Sequence, residues 1–441
     1  MLTLLGSGEP GKPGPWSLWH RSRLLAVSST PVYLDYAATA PLAPAARASI
    51  LEHLDLVGNP NSLHGPGRAA HRLVEESRER LAAAIGVHPS EILFTSGGTE
   101  ADNLGLKGAF WAAVAERPRA RGILLTGAEH HAVLDTVEWL ARHEGAVPFF
   151  APLHADGSVD LPAWEELLAR HAGDLALSTL MWANNEVGTV QPVVAAAAAA
   201  LRVGVPLHTD AVQALGHVPV ALRAPGIASA ALSAHKIGGP VGVGALVLGR
   251  DRTPVALQHG GGQERSLRSG TLDAVGVAAF AAAAEAAVAA LDAERTRLEG
   301  LRSRLVEGLA RAVPHAVVNG PAGPDAVGRR LPGTVHVTLP GCEGDTVLFM
   351  LDMAGIASST GSACTAGVAG PSHVLMAMGA DEATARCVQR FSLGAGSTEA
   401  DVDALLAALP GAVAAASAAG PASGRHDGTV RRTETTKGEA A

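Results

Sequence analysis

Lysine is scarce in this chain, which has four lysines among 34 lysine and arginine residues in a length of 441 residues. Arginine can replace lysine as a surface cation, but its guanidinium stays protonated and cannot form a Schiff base. Three of the lysines, Lys12, Lys107 and Lys437, lie in the terminal segments or in a helix-like stretch. The fourth, Lys236, stands beside a serine, a histidine and a glycine run. Lys236 is therefore the first candidate for covalent chemistry.

Cysteine, aromatic residues and net positive charge are also in short supply. The three cysteines, Cys342, Cys364 and Cys387, are an odd number without metal-ligand spacing, which argues against a disulfide framework and favours a reduced, cytoplasmic protein. The formal net charge of −8 gives no reason to expect nucleic acid or an anionic membrane as a partner. No apolar run is expected to reach the roughly 18–20 residues of a membrane helix, so no membrane partner is predicted.

Short β-branched runs alternate with long helical stretches rich in alanine, leucine, glutamate and arginine. This alternation predicts an α/β domain around a mostly parallel sheet, followed by a smaller α/β unit. A long helix at about residues 272–312 is expected to bridge the two. The predicted segments are a disordered N-terminal extension (1–30), the N-terminal part of the small domain (31–45), a large domain (46–290), a small C-terminal domain (291–417) and a disordered tail (418–441).

A glycine turn follows the apolar run of residues 92–94 and leads into a helix-like stretch at Thr99. Gly97 and Gly98 let the backbone turn tightly, and the free N–H groups of a helix N-terminus bind anions. An ordinary capped helix after a strand explains this segment equally well when it is considered alone.

Two further segments place an acid and a lysine in a similar setting. Asp210 follows an apolar run that predicts a strand, and α/β sites are built at the C-terminal ends of strands. A carboxylate there can pair with a pyridinium nitrogen, although a helix N-cap is the simpler interpretation of Asp210 alone. Lys236 follows Ser233 and His235, whose hydroxyl and imidazole suit a phosphate. In this order, the glycine turn, the acid and the lysine predict a pyridoxal phosphate site.

Loops supply the remaining candidates. Thr271 follows a glycine run, and Arg390 opens a strand-like run from which it could bind a substrate carboxylate with two hydrogen bonds. A flexible loop and a surface arginine are the simpler interpretations. Cys364 lies among small residues, which predicts an exposed, mobile loop and a nucleophilic thiol. Cys342 has an acidic neighbour that disfavours its thiolate, and Cys387 lies in a helix-like stretch.

Ten ordered segments spread over most of the chain match a known family. They are residues 33–39, 58–60, 95–103, 129–130, 184–188, 208–213, 233–240, 268–271, 361–365 and 390–394. On these segments the chain resembles the pyridoxal-phosphate-dependent cysteine desulfurases of the class V aminotransferase family, in the branch that serves iron–sulfur assembly and tRNA thiolation. The resemblance implies fold type I: a large domain with a mostly parallel, seven-stranded type of sheet, a smaller α/β domain, and a homodimer with shared sites.

The resemblance also implies a role for each matching site residue. The catalytic residues would be Lys236, which binds the cofactor covalently, His130, which takes part in proton transfer, and Cys364, which accepts the sulfur as a persulfide. Arg390 and Asn185 would contact the substrate. The cofactor-binding residues would be Gly98, Thr99, Asn185, Asp210, Gln213, Ser233, His235 and Lys236, with Thr271 supplied by the partner chain.

The expected reaction removes sulfur from L-cysteine and leaves L-alanine and a persulfide on Cys364. The expected partners are a second copy of the chain and a sulfur-acceptor protein, such as an iron–sulfur scaffold or a tRNA-thiolating enzyme. Cys364 is also a candidate transient ligand of an iron–sulfur cluster. A selenocysteine lyase or an aminotransferase of the same fold is the alternative. The family often has alanine where Gly98 stands, and residues 418–441 show no clear counterpart of a scaffold-docking segment.

Overall fold

The computed structural model describes residues 31–323, 326–361 and 370–419. The predictions made for residues 1–30, for 420–441 and for Cys364 lie outside the described residues. The described strands are β1 (Val32–Tyr33), β2 (Ile92–Thr95), β3 (Gly122–Thr126), β4 (Val147–Ala151), β5 (Leu175–Thr179), β6 (Leu207–Asp210), β7 (Ile227–Ser233), β8 (Gly244–Leu248), β9 (Val317–Asn319), β10 (Thr334–Thr338), β11 (Ile356–Ala357) and β12 (Val388–Ser392).

Helices connect most of these strands, and several begin at an acidic N-cap. Asp160, Asp273 and Asp381 each accept a hydrogen bond from the first turn of the helix that follows, which satisfies a backbone N–H that has no partner inside the helix. The described α-helices are α1 (Pro44–His53), α2 (Gly65–Ile85), α3 (Gly98–Glu116), α4 (His131–Glu144), α5 (Leu161–His171), α6 (Val193–Arg202), α7 (Ala274–Ala312), α8 (Gly344–Met353), α9 (His373–Ala377), α10 (Glu382–Arg386) and α11 (Glu399–Ala419).

A seven-stranded sheet of order β2-β8-β7-β6-β5-β3-β4 forms the centre of the larger unit. Strand β8 runs antiparallel to both of its neighbours, and the other paired strands are parallel. Ile123 and Leu125 of β3 pack under α3 and α4, whereas Leu124 joins the core that contains residues of α5 and α6. The sheet is therefore covered on both faces, as a mostly parallel sheet requires. The predicted α/β class with a mostly parallel sheet is confirmed.

A smaller unit is built from the two ends of the described chain. A three-stranded antiparallel sheet of order β12-β10-β9 and the pair β1-β11 pack with α8, α11 and the C-terminal half of α7 around a second core. Helix α7 contributes Phe280 to the larger core and Leu305 to the smaller one, so a single helix joins the two units. Helix α11 continues to Ala419, one residue past the predicted start of the tail at residue 418. The domain limits stay predictions.

Two helices contradict the expectation that no apolar run reaches the length of a membrane span. By length and composition alone, α7 and α11 are apolar enough to cross a membrane. The apolar segment of α7 is mostly alanine, which raises the mean hydropathy without adding bulky side chains. Alanine lets α1 and α2 pack closely against α7, and about half of that segment (56%) is buried inside the protein. A core helix satisfies the same composition test as a membrane span, so the finding is weak evidence for a membrane.

Candidate active site

A cavity of about 260 Å³ lies where the carboxyl ends of β6 and β7 meet the first turn of α3. The ends of parallel strands and a helix N-terminus converge there because the intervening chain returns to the opposite edge of the sheet after each strand. Most of the residues singled out from the sequence line this one cavity. They are Gly98, Thr99, His130, Asn185, Asp210, Gln213, Ser233, His235, Lys236 and Arg390.

Lys236 enters the cavity from a single 3₁₀ turn, Ala234–Ile237, which directly follows β7. Its Nζ donates to the carbonyl oxygens of Ala37 at 2.7 Å and Ala38 at 2.8 Å. The turn ends at Gly238 in the left-handed region with φ of 78°, where a Cβ would also lie 2.9 Å from Cβ of Ala43. The amine is thus held at the cavity by the turn behind it and by backbone carbonyls in front.

Asp210 is the last residue of β6, and its side chain lies in the cavity. Its Oδ1 accepts a hydrogen bond from the backbone N–H of Val212 at 2.9 Å. Burial raises the pKa of Asp210 to about 6, while the nearby Lys236 and the Val212 hydrogen bond act to lower it. A buried carboxylate of this kind gains from a cationic partner such as a protonated pyridine nitrogen. Nε2 of Gln213 donates to the carbonyl oxygen of Ala37 at 2.8 Å.

The other end of the cavity is suited to an anion. Helix α3 begins at Gly98 without a side-chain cap, which leaves N–H groups of the first turn for a ligand. A Cβ at Gly98 would lie 2.6 Å from Cγ2 of Val212, so an alanine at this position would require the Val212 side chain to shift. Ser233 Oγ is buried and has no hydrogen-bond partner among the described residues. His235 Nδ1 lies 2.7 Å from Oγ1 of Thr39, and burial lowers the pKa of His235 to about 4.

His130 lies just before α4 and is its N-cap. Its Nδ1 accepts a hydrogen bond from the backbone N–H of Ala132 at 3.1 Å, so the neutral ring carries its proton on Nε2. Burial, and then the charge of Lys236, lower the pKa of His130 to about 4. At neutral pH the cavity therefore contains an uncharged imidazole that can donate from Nε2.

Arg390 reaches the cavity from the middle of β12, a strand of the smaller unit. Its guanidinium donates to Oδ1 of Asp35 at 2.8 Å and to the carbonyl oxygen of Asn185 at 2.9 Å. The Nε atom of Arg390 is buried and has no hydrogen-bond partner among the described residues. The same holds for Oδ1 of Asn185. The pairing with Asp35 makes Arg390 a fixed, oriented cation at the edge of the cavity.

Thr271 is the one described site candidate that does not line the cavity, and Cys342 and Cys387, which were given no role in the site, also lie outside it. Thr271 is exposed in the loop after Arg268, whose Nε donates to Glu100 of α3 at 2.7 Å. Cys342 is buried, with Sγ 3.1 Å from Oγ of Ser417, and Cys387 is partly exposed. Cys364 lies outside the described residues.

The structure also adds cavity residues that the sequence did not assign a role. Asp102 and Met181 line the cavity, and Asp35 orients Arg390. Asp102 follows Thr99 by three residues, which is one turn of the same helix, so helical spacing from the glycine turn was the available signal. Asp35 and Met181 come from distant parts of the chain, and only the assembled fold reveals their position.

The residues present fit pyridoxal phosphate. The unpartnered hydroxyl of Ser233 and the uncapped start of α3 suit its phosphate, Asp210 suits its ring nitrogen, and Lys236 offers a primary amine for its aldehyde. The fold and this set of groups define the class: a fold type I pyridoxal-phosphate-dependent enzyme.

Comparisons with known proteins narrow this class. Residues 32–405 match the aminotransferase class-V family model. The IscS-like cysteine desulfurase of Mycobacterium tuberculosis is 52% identical over 384 residues, which is 87% of this chain and 96% of that protein. Among solved structures, a NifS-like protein has a TM-score of 0.78 at 36% identity and covers 87% of this chain and 99% of its own. SspA in complex with cysteine has a TM-score of 0.68 at 30% identity and covers 82% and 98%. The chain belongs to the aminotransferase class-V family, among its cysteine desulfurases.

Proposed function

We propose that this protein is a cysteine desulfurase that takes sulfur from L-cysteine and holds it as a persulfide on Cys364. The observation that carries the proposal is the convergence in one cavity of the amine of Lys236, the carboxyl of Asp210 and the guanidinium of Arg390. The relatives named cysteine desulfurases and the cysteine complex of SspA support cysteine as the substrate. Pyridoxal phosphate supplies an electron sink for the electron pair that remains when the Cα–H bond of the amino acid breaks.

Arg390 is placed to bind the carboxylate of the amino acid. Its fork of N–H groups matches two carboxylate oxygens, and its buried Nε still has a hydrogen to donate. Asp35 and the carbonyl oxygen of Asn185 keep the guanidinium in one orientation before substrate arrives. The substrate is thereby fixed with its Cα between Arg390 and Lys236.

Lys236 and His130 are placed to move the protons. Lys236 lines the cavity, its amine is held by the carbonyl oxygen of Ala37, and the amine can remove the proton from Cα. His130 is neutral and carries its proton on Nε2, because Nδ1 accepts from Ala132. His130 therefore works as a donor or as a fixed dipole beside Lys236, and the base is Lys236.

Cys364 is the proposed sulfur acceptor. In that step the C–S bond of cysteine breaks, an S–S bond to Sγ of Cys364 forms, and a proton added to the carbon completes L-alanine. Cysteine and a thiol thus become alanine and a persulfide without an external oxidant. A second thiol, from a reductant or an acceptor protein, then releases the sulfur.

The active form is proposed to be a homodimer in the cytoplasm that passes sulfur to an acceptor for iron–sulfur assembly or tRNA thiolation. Large apolar side chains stand exposed around α1 and in the loop that follows it, including Leu54 at 64%, Val57 at 80% and Leu63 at 89% exposure. Exposed apolar groups so close together in sequence favour a covered interface. Thr271 is exposed outside its own cavity, which leaves it available to a second copy.

The test is to incubate the purified protein with L-cysteine and a thiol reductant in the absence of a keto acid. Sulfide and alanine should appear in equal amounts. Absence of both products, with the cofactor bound, would overturn the proposal. An aminotransferase would need a keto acid before it consumed cysteine, and a selenocysteine lyase would act on selenocysteine while sparing cysteine. Analytical ultracentrifugation tests the dimer separately.

A further inference from the structure

A buried chain of three polar side chains lies directly behind the cofactor cavity. Asp102, which is 1% exposed, is one of the residues that line the cavity. Its Oδ1 lies 3.1 Å from Nε2 of His208, and Nδ1 of the same ring lies 2.8 Å from Oγ of Ser229. His208 and Ser229 are also buried. None of the steps described above uses these three groups.

The fold dictates this arrangement. His208 stands two residues before Asp210 on β6, so both side chains project from the same face of the sheet. The parallel register of β6 and β7 places Ser229 opposite His208. Helix α3 crosses above, and a Cβ at Gly105 would lie 2.7 Å from the imidazole of His208. Glycine at that position is what allows the ring to reach Asp102.

Among the described residues, the surroundings of Asp102 contain acids but no lysine or arginine paired with it. Asp210 and Glu129 are the charged groups that act on it, and its hydrogen-bond partner is His208. Burial raises the pKa of Asp102 well above its ordinary value, and the charges of Asp210 and Glu129 raise it further. Burial also lowers the pKa of His208 to about 3. Two carboxylates in one buried site resist simultaneous ionisation, and a neutral imidazole does not compensate the second charge.

We propose that Asp102 is a positioning residue that stays a neutral carboxylic acid and donates its proton to Nε2 of His208, which leaves Asp210 as the anion for the cofactor ring. His208 then carries its own proton on Nδ1 and donates it to Oγ of Ser229. The three hydrogen-bonded side chains tie β6, and with it Asp210, to the second turn of α3 without a second negative charge in the cavity. The role given to Asp210 rests on the proposed function, whereas the protonation of Asp102 and His208 does not.

Spectroscopy on the full-length protein tests the protonation directly. Infrared difference spectra between the wild type and Asp102→Asn should show the loss of a carboxylic-acid C=O band at pH 7.5, before and after removal of the cofactor. Nitrogen-15 NMR, assigned with His208→Gln, should show His208 protonated on Nδ1. A carboxylate band in place of the acid band, or a proton on Nε2, would overturn the proposal. Neither measurement involves cysteine, so a failed desulfurase assay and a failed proposal are separate results.

Cofactor affinity tests the positioning role. Asp102→Ala should weaken pyridoxal phosphate binding by about 10- to 100-fold, because it leaves Nε2 of His208 unsatisfied. Asp102→Asn should recover affinity to within about threefold of the wild type, since an amide N–H donates as the acid does. The matched control is Ser178→Ala, a buried serine on the neighbouring strand β5 whose hydroxyl donates to a backbone carbonyl. Equal losses in the Ala and Asn variants would mean that the anion is required and would overturn the proposal. If Asp102→Ala does not fold, the infrared measurement on Asp102→Asn still decides.

Discussion

Lys236 and Lys107 have the same side chain in two parts of the molecule with different surroundings. Lys236 lies in a cavity with a carboxyl group, hydroxyl groups and an arginine, which come from β6, β7, α3 and β12. Lys107 lies along α3, with Nζ 4.4 Å from the centre of the Trp139 ring on α4. One lysine meets polar groups from several strand ends, and the other meets one aromatic ring between two helices. Reactivity in this protein therefore follows from convergence of strand ends and not from the lysine itself.

The two environments of Lys107 and Lys236 differ in the protonation states that they stabilise. Around Lys107, partial burial lowers the pKa of the amine, and the face of the Trp139 ring attracts its charged form. Around Lys236, Asp210 and His130 have shifted pKa values of about 6 and about 4, and each can hold a specific protonation state beside the amine.

Exchanging each lysine for alanine should give the largest contrast. Lys236→Ala should lower the rate of sulfide release by more than about 1000-fold and abolish the yellow absorbance of the bound cofactor, because the amine is both the attachment point and the base. Lys107→Ala is the matched control and should keep the rate within about twofold, with a loss of about 0.5–1 kcal/mol in the free energy of unfolding from the cation–π contact. Equal loss of activity in both variants would refute the comparison.

Removing the thiol should separate the cavity from the sulfur-transfer step. Cys364→Ala should keep the yellow cofactor and the binding of cysteine but lower sulfide release by more than about 100-fold, because no nucleophile accepts the sulfur. Cys387→Ala serves as the control, since Cys387 lies at the end of α10, outside the cavity. Desulfuration at the normal rate in Cys364→Ala would show that the persulfide forms on a different group.

Local sequence patterns predicted the helices and strands well, because neighbouring residues, such as an N-cap, determine where these elements begin. The long helix expected at residues 272–312 spans Ala274–Ala312, and its start is set by the N-cap Asp273. The apolar run of residues 92–94, which precedes the glycine turn, forms strand β2 (Ile92–Thr95). The sequence analysis did not recognise that α7 is apolar enough to span a membrane. Its many alanines were interpreted as a sign of high helix propensity and not of hydrophobicity.

The site was predictable where a residue follows a strand, as for Asp210 and Lys236, because the carboxyl ends of parallel strands share one edge. The pairing of Asp35 with Arg390 joins residues 355 positions apart, and no local pattern encodes it. The contact of Asp102 with His208 depends on register and on a helix crossing above the sheet. These long-range contacts arise only from tertiary packing.

Replacing Arg390 should have a smaller effect, and it tests whether the substrate carboxylate binds at this side of the cavity. Arg390→Gln should raise KM for cysteine by about 10- to 100-fold, because a carboxylate loses its paired, charged donors. Bound cofactor should be retained. The control is Arg80→Gln, in which a half-exposed ion pair with Glu285 is removed far from the cavity residues. An unchanged KM in Arg390→Gln would move the carboxylate site elsewhere.

The smallest expected effect is a pH-dependent change in stability that comes from the cavity histidine. His130 has a folded pKa of about 4 against an ordinary value of 6.5, so between these values the unfolded chain binds a proton that the folded chain does not. The contribution of the neutral His130 to the free energy of unfolding is thus fully present above pH 6.5 and is lost as the pH falls towards 4. His130→Asn, which can still cap α4, should reduce the loss in unfolding free energy between pH 7 and pH 5 by about 1–2 kcal/mol. Urea unfolding of the cofactor-free protein measures this, with Lys107→Ala as the control, since a lysine does not titrate in that range. A wild-type pH dependence in His130→Asn would mean that the cavity does not keep this imidazole neutral, and the contrast with the Lys107 region would then rest on Asp210 alone.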